Sequence, residues 1–558
     1  MRRDVDAVVI GSGHNGLVAA AYLARAGWSV EVLEGNSEAG GAVATEELTV
    51  PGFRHDTFSS WHPLFHLSAT YAELGEDLAR RGLAYANADD VVAASVTPVR
   101  APVFLHRDPA RTAAQMKDRD GSRYLEDLDA FGRHATVIGD LLETELHSWR
   151  ALRCGGRLAL GLGRRDGPAF ASQLLGSARG WLGGRFQGPQ LGDLLSPWIL
   201  HTGLTPDDSG GAFQLLALAG ALHRVGLPVV RGGSVNFVTA FVRLIEDHGG
   251  RVRTGARVDR VLVEHGRAVG VGVGGEEVGA RRAVVADVTP TQLYGELLPA
   301  GAAPARAVAQ ARAYRYNARS GAQIHLALSE PPRWPADARL GLAPIVHVTG
   351  GLDATSLACA EAQAGLLPAE PTIVCGQPTV FDPSRAPVGR AILWIQLQEV
   401  PAVPRGDAAG EIEVGDGTWT PELEHAYAAR VIAHLGRHIE NLPASVVGRA
   451  VLSPATLARR NPNLVGGDIY SGAADLSQAF FLRPLPSYGS HATPVPGLYQ
   501  CGASTYPGPG LNAASGRIVA MRLLGHAGGR AGWRRAAGLQ RRAAGFQRRA
   551  AGLRRRAG

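Results

Sequence analysis

Apolar residues along this chain follow two rhythms, and the switch between them marks its elements. Ala7-Val8-Val9-Ile10 is an unbroken apolar run, the pattern of a parallel strand buried on both faces. It leads into Gly11-Ser12-Gly13-His14-Asn15-Gly16, then into an alanine-rich stretch of helical spacing that reaches Ala26 before Gly27 closes it. Trp28 to Leu33 makes a second apolar strand, ending at Glu34. Residues 70–225 read as mostly helical, with Leu and Trp on the apolar faces. Val235 to Glu246 is a clean amphipathic helix closed by Gly249-Gly250. Strand patterns return at Gln323–Leu328, Ile373–Gln377 and Ala391–Gln398, which predicts a second sheet. Near the end, a strand over Gly497 to Ser504, a glycine-proline loop from Tyr506 to Asn512 and a helix from Ala513 to Leu524 follow in order.

The first glycine cluster carries chemistry. Gly11 suits the tight turn, Gly13 lets backbone approach a pyrophosphate, and Gly16 lets helix and strand pack closely. The helix start offers free N–H groups and about half a positive charge to an anion. Glu34 follows Gly16 by 18 residues, near the roughly 20 expected of a carboxylate that takes ribose hydroxyls. Gly270-Val271-Gly272-Val273-Gly274-Gly275 matches the same glycine spacing, yet no helix pattern follows it. Its flanks alternate, so it reads as a β-meander whose glycines mark turns and bulges. Only the N-terminal copy predicts dinucleotide binding. The small-residue strand end at Gly502, with the loop and helix start after it, predicts a second anion-stabilising element. His62 and His66, four apart, suit an apolar wall or core face; no Glu or Cys partner accompanies them, and no metal site is expected.

Composition and charge then narrow the reading. The chain has 558 residues, 45% of them hydrophobic, enough for several large cores. No apolar stretch of membrane-spanning length lacks a charge or breaker. Met1-Arg2-Arg3 before an apolar run imitates a signal peptide, but cleavage would remove the glycine fingerprint, so none is expected. Cys154, Cys359, Cys375 and Cys501 are widely spaced, which suits a reducing, cytoplasmic compartment and argues against a zinc site or dithiol centre. The formal charge of +7 includes ten arginines and no acid between Arg530 and Gly558, which leaves the rest of the chain at −3. No nucleic-acid footprint is expected. The tail repeats Arg-Arg-Ala-Ala-Gly every seven residues and reads as a low-complexity extension, or as peripheral contact with an anionic membrane.

Together the Gly11–Gly16 cluster, Glu34, Gly40-Gly41, Arg231-Gly232-Gly233 and the Leu498–Gly516 segment resemble the phytoene desaturase-like FAD oxidoreductases. Among these, the branch named for a pyridine nucleotide-disulfide oxidoreductase domain is the most similar. The likeness spans about residues 5–525. It implies an α/β fold: a Rossmann-like FAD-binding domain of the glutathione-reductase/amine-oxidase type, interleaved with an α+β substrate domain. The first would comprise residues 1–69, 226–300 and 488–528, the second 70–225 and 301–487, with 529–558 as the arginine-rich tail. The resemblance implies FAD, with Gly11, Gly13 and Gly16 at the pyrophosphate, Glu34 on the adenosine ribose, and Gly40 and Gly41 along the cofactor. Val258 would meet the adenine through its backbone, and Gly502, Ala503 and Asn512 would sit at the ribityl and flavin end. Ala42 stands where many related flavoenzymes carry an arginine, and Ala503 where many carry an acid.

Three activities follow from that likeness. The first is desaturation or saturation of C–C bonds in an apolar, polyene- or isoprenoid-like substrate, with hydride passing to flavin N5. The second is amine oxidation, which usually places a lysine beside the flavin; the chain's one lysine, Lys117, lies in a polar run. The third is flavin-free prenyl or lipid binding. No catalytic residue is marked by pattern, and His62, His66 and Tyr506 are the candidates for carrying a proton.

Overall fold

The structure, a computed structural model, describes residues 3–527, without the side chains of 3, 164–166, 526 and 527. The arginine-rich repeat of the tail, and the membrane contact expected of it, lie outside the described residues.

The first apolar run forms a strand, Arg3–Ile10, at the middle of a seven-stranded sheet. It pairs in parallel with Val30–Leu33 on one side and Glu276–Ala286 on the other. Successive side chains of a strand point to opposite faces, and both faces here are covered. Ala7 and Val9 pack with the helices His14–Arg25, Val235–Asp247 and Ala514–Ala527. Val8 and Ile10 pack into a second core with Val258–Glu264 and Arg267–Val273. Those two strands and Glu276–Ala286 form the antiparallel meander expected of the second glycine cluster. Leu498–Gln500 pairs in parallel with Glu276–Ala286, which brings the last helix back to the first. A Cβ on Gly516 would stand 2.1 Å from the carbonyl oxygen of Asn15, so glycine there is what lets these helices touch.

A second seven-stranded sheet runs in the order Val446–Leu452, Ser320–Leu328, Ala391–Val400, Ile373–Gly376, Ile345–Val348, Val91–Val96, Val103–His106. The last two strands lie in the stretch read as mostly helical. Their apolar runs are short, and burial in the sheet decides their conformation. One face of this sheet, with Ala94, Phe104 and Ile395, packs on the helix Pro421–Gly436. The other, with Ala93, Leu105 and Trp394, packs on Ala178–Arg185, Gln190–Leu200 and Gly211–Val225.

A buried ion cluster ties a helix of the first sheet to a loop of the second. Arg385 lies 3.0 Å from Asp56 and 2.8 Å from Asp382, all three side chains nearly free of solvent. The same carboxylates fix the Arg231-Gly232-Gly233 turn: Gly232 N–H donates to Asp382 and Ser234 N–H to Asp56. Removing one partner of such a buried cluster leaves an uncompensated charge and costs about 3–5 kcal/mol. The turn thus holds the start of the Val235–Asp247 helix in place beside the first strand.

Candidate functional site

One cavity of about 1840 Å³ opens between the two sheets and extends into the helical region. Gly11, Gly13, Glu34, Gly41, Val258, Gly502, Ala503, Tyr506 and Asn512 all line it. The first sheet gathers these residues from distant parts of the sequence. The carboxyl ends of Arg3–Ile10, Val30–Leu33 and Glu276–Ala286 all point at the cavity, where open α/β sheets bind ligands.

The glycine turn begins with Gly11 at φ +87°, a backbone region that favours glycine. A Cβ on Gly16 would meet the Gly11 carbonyl at 2.5 Å, and one on Gly41 would come within 3.1 Å of the Gly13 Cα. Two stretches of bare backbone therefore face each other across this part of the cavity. Gly16 and Gly40 stand behind that lining and shape it. Glu34 is held in place by its own chain: Oε2 accepts from Ser12 N–H at 2.9 Å and Ser12 Oγ–H at 2.6 Å, and Oε1 from Asn36 N–H at 2.9 Å. Ser12 Oγ also accepts the Gly40 N–H, so the acid, the turn and the glycine pair form one unit. Val258 sits beside it, since Ala256 N–H donates to the Glu34 carbonyl.

At the other end, Gly502 N–H donates to Ser515 Oγ, and Ala514 N–H to Asn512 Oδ1. Asn512 thereby caps the start of the last helix. Beyond it the wall becomes apolar, with Phe131, Leu142, Leu158, Phe170, Phe213 and Leu218 among its side chains. They come from the helices Asp120–Gly132, Ala135–Leu142, Trp149–Leu175 and Gly211–Val225.

Two acids that no sequence pattern marked stand on the cavity wall. Glu143 accepts the Ala69 N–H through Oε1, while its buried Oε2 has no hydrogen-bond partner and lies 3.7 Å from Arg517. Burial raises its carboxyl above the usual range, with Arg517 opposing that and Glu73 adding to it. Asp287 follows the strand Glu276–Ala286 and accepts the Gly16 N–H at 2.9 Å through Oδ2. Both roles depend on tertiary burial. For Asp287 a sequence signal exists nonetheless: an acid at the carboxyl end of a strand in a nucleotide-binding sheet.

The histidine candidates are corrected by their surroundings. Neither His62 nor His66 lines the cavity. His62 bonds the Tyr85 hydroxyl at 3.0 Å and packs edge-on against Phe237, and His66 stacks on Tyr71 with ring centres 4.2 Å apart. Burial lowers both, to about 3 and about 4, so each is a neutral member of an aromatic core behind the cavity wall. Tyr506 does reach the wall, but its hydroxyl donates to the Leu141 carbonyl at 2.9 Å and burial raises its pKa. It anchors the helical region through that bond. Lys117 is exposed and outside the lining.

These features fit FAD: bare backbone and a helix start for a pyrophosphate, an oriented carboxylate one strand away, and a second helix start at the far end. A ligand pocket commonly measures roughly 300–1,000 Å³, so the cavity has room for a substrate beside the cofactor.

Comparison with known proteins agrees. The chain is 28% identical to pyridine nucleotide-disulfide oxidoreductase domain-containing protein 2 of Rattus norvegicus, over 93% of each chain. It is 26% identical to a limonene dehydrogenase component of Castellaniella defragrans, over 95% of this chain and 96% of that one. It is also 26% identical to a zeta-carotene-forming phytoene desaturase of Myxococcus xanthus, over 93% of each. Wild-type putrescine oxidase bound to putrescine shares the fold, with a TM-score of 0.58 at 15% identity over 94% of this chain and 100% of that one. Residues 16–393 match the flavin containing amine oxidoreductases, and the chain belongs to that family, as an FAD-dependent oxidoreductase.

Proposed function

We propose that this enzyme desaturates, or in reverse saturates, a C–C bond of a long apolar, isoprenoid-like substrate. The observation that carries the reading is the continuity of the cavity: the cofactor cradle opens directly into a chamber walled by Leu and Phe. Names among the relatives point the same way, since limonene and carotene are both isoprenoids. When bound, FAD supplies hydride acceptance at N5. The apolar wall binds and orients the substrate and excludes water. Glu143 takes the proton lost from the carbon next to the one that gives up hydride, because its side chain lines the cavity and its Oε2 makes no hydrogen bond. The exposed position of Lys117 counts against amine oxidation.

The proposal includes a partner, an anionic membrane surface from which such a substrate arrives. Trp149, Leu152 and Leu160 are 82%, 64% and 85% exposed. They recur at helical spacing on one face of Trp149–Leu175, with Arg153 and Arg157 exposed along its border. The opposite face contributes Leu158 and Leu162 to the cavity. A helix with an apolar stripe edged by arginine suits the headgroup boundary of a bilayer.

The test is anaerobic stopped-flow mixing of the flavin-loaded protein with apolar polyenes, with primary and secondary amines, and with NADPH. Polyenes are expected to bleach the flavin. Bleaching by amines and not by polyenes overturns the reading in favour of an amine oxidase; bleaching by NADPH alone fixes the direction as reduction.

A further inference from the structure

Asp287 is a buried acid placed where a cofactor phosphate needs the opposite charge. Its carboxyl fits between the two glycine elements of the cradle. A Cβ on Gly13 would come 2.5 Å from Oδ2, and one on Gly502 would come 2.6 Å from Oδ1. Oδ2 accepts the Gly16 N–H, an amide of the helix start that serves the pyrophosphate. The residue is 6% exposed and lines the cavity.

The groups around it offer no compensating cation. Glu34, at the end of the strand beyond Arg3–Ile10, is an acid and raises the Asp287 carboxyl further. The Cys501 thiol, at the end of the adjoining strand Leu498–Gln500, is raised by burial and by Asp287 itself. His14, on the helix start, is lowered to about 4 by burial and is neutral. Arg517, on the last helix, is engaged by Glu73 at 2.6 Å. Among the described residues, no arginine or lysine pairs with Asp287. Ala42, also on the cavity wall, supplies none. An ionised Asp287 would thus stand with Glu34 against the two negative charges of a pyrophosphate, in a site with low screening.

We propose that Asp287 is a cofactor-binding residue that works in its protonated form, donating its carboxyl O–H to a pyrophosphate oxygen of FAD, so that cofactor binding takes up a proton from solvent. A carboxylic acid kept neutral by its surroundings in order to donate a hydrogen bond is an established device of protein sites. Burial already pushes this carboxyl up to about 7 in the absence of cofactor, ahead of the Gly16 N–H, which lowers it, and Glu34, which raises it. A bound pyrophosphate raises it further. The sign follows. Below about pH 7 free and bound proteins both hold the proton, and affinity is flat. Above it the free protein has lost the proton that binding must restore, and affinity falls by up to about tenfold per pH unit.

The experiment is titration of the flavin-depleted full chain with FAD and, separately, with ADP-ribose, which carries the pyrophosphate without the flavin ring. Kd is read by fluorescence between about pH 6 and 8.5, a window chosen to bracket the raised carboxyl. Wild type is expected to show a flat limb and then a rise in Kd above about pH 7, with the same slope for both ligands. Asp287→Asn, an uncharged donor of the same shape, is expected to bind both with little dependence on pH. A wild-type Kd constant over this range, or an unchanged slope in the Asn variant, overturns the proposal. A slope seen with FAD and absent with ADP-ribose also overturns it, since the titrating group would then belong to the flavin end. If the Asn variant does not fold, calorimetry of wild type at about pH 8 in two buffers of different ionisation enthalpy decides. Net proton uptake supports the proposal, and none overturns it. The outcome is independent of the substrate, so it stands or falls apart from the desaturase reading.

Discussion

The two ends of the cavity are built from opposite materials. At the cofactor end the wall is backbone: Gly11, Gly13, Gly41 and Gly502 present amides and carbonyls, and the space a Cβ would need is taken by neighbouring atoms. In the chamber the wall is side chain, with Phe131, Leu158, Phe170 and Phe213 projecting from three helices. Backbone recognition fixes residue identity at a few positions, because only glycine has no Cβ. Side-chain recognition fixes a volume, which many combinations of Leu, Phe and Ala fill equally well. The first end should fail at single positions, and the second should change by degrees.

The sharpest exception on the apolar side is Glu143. If it carries the proton, Glu143→Gln should lower the rate of flavin reduction by about 10²–10⁴-fold while the bound-flavin spectrum stays unchanged. Because burial raises this carboxyl, a base at this position loses activity as pH falls through its elevated value. The wild-type rate should therefore rise with pH, and the Gln variant should lose that limb. A rate within a few-fold of wild type would return Glu143 to being a partner of Arg517 and nothing more.

At the cofactor end, Gly13→Val should raise the FAD Kd by roughly a hundredfold. Overpacking a tight site costs about 1–3 kcal/mol, and the new side chain would collide with Asp287. Purified variant protein should be colourless and folded by circular dichroism. Retained yellow colour would show that the cofactor lies elsewhere along the cavity.

This contrast also explains what could be read from the chain. The glycine turn, Glu34, the meander and the second sheet were legible because each leaves a local mark: a spacing, an alternation, a turn residue. Val91–Val96 and Val103–His106 were lost among helices because two short apolar runs have too few residues to show a period. His62 and His66 suggested chemistry by residue type, but Tyr71, Tyr85 and Phe237, which pack around and bury them, come from other segments. Asp287 and Glu143 are single acids with no repeat around them. Burial and the absence or presence of an arginine nearby give them their character, and both are properties of the assembled fold.

In the chamber, Ala217→Trp should narrow the space without touching the cradle. Ala217 lines the cavity from the Gly211–Val225 helix, and a large side chain there is expected to lower kcat/KM for long apolar substrates by roughly tenfold. Short ones should lose less, in keeping with the roughly 1–3 kcal/mol that pocket shape usually contributes to discrimination. FAD affinity should be unchanged. Equal loss for long and short substrates would place the reacting bond on the cradle side of Ala217 and leave the chamber without a role in selecting length.

The smallest effect is expected on the outer side of the same helical region, where apolar side chains face away from the cavity. Arg153→Gln combined with Arg157→Gln removes two exposed charges from the border of the Trp149–Leu160 stripe. Each is worth about 1 kcal/mol near an anionic surface at most, and less at physiological salt, where charges are screened beyond about 8 Å. Co-sedimentation with anionic vesicles should fall a few-fold, while turnover of a detergent-dispersed substrate stays at the wild-type rate. The full chain keeps ten further arginines between Arg530 and Gly558, so the pair should be tested with and without that segment. If vesicle binding falls only when the segment is removed, the helix is not a lipid-facing surface. If it falls with the pair in both backgrounds, the chamber wall and the membrane surface are two faces of one helix.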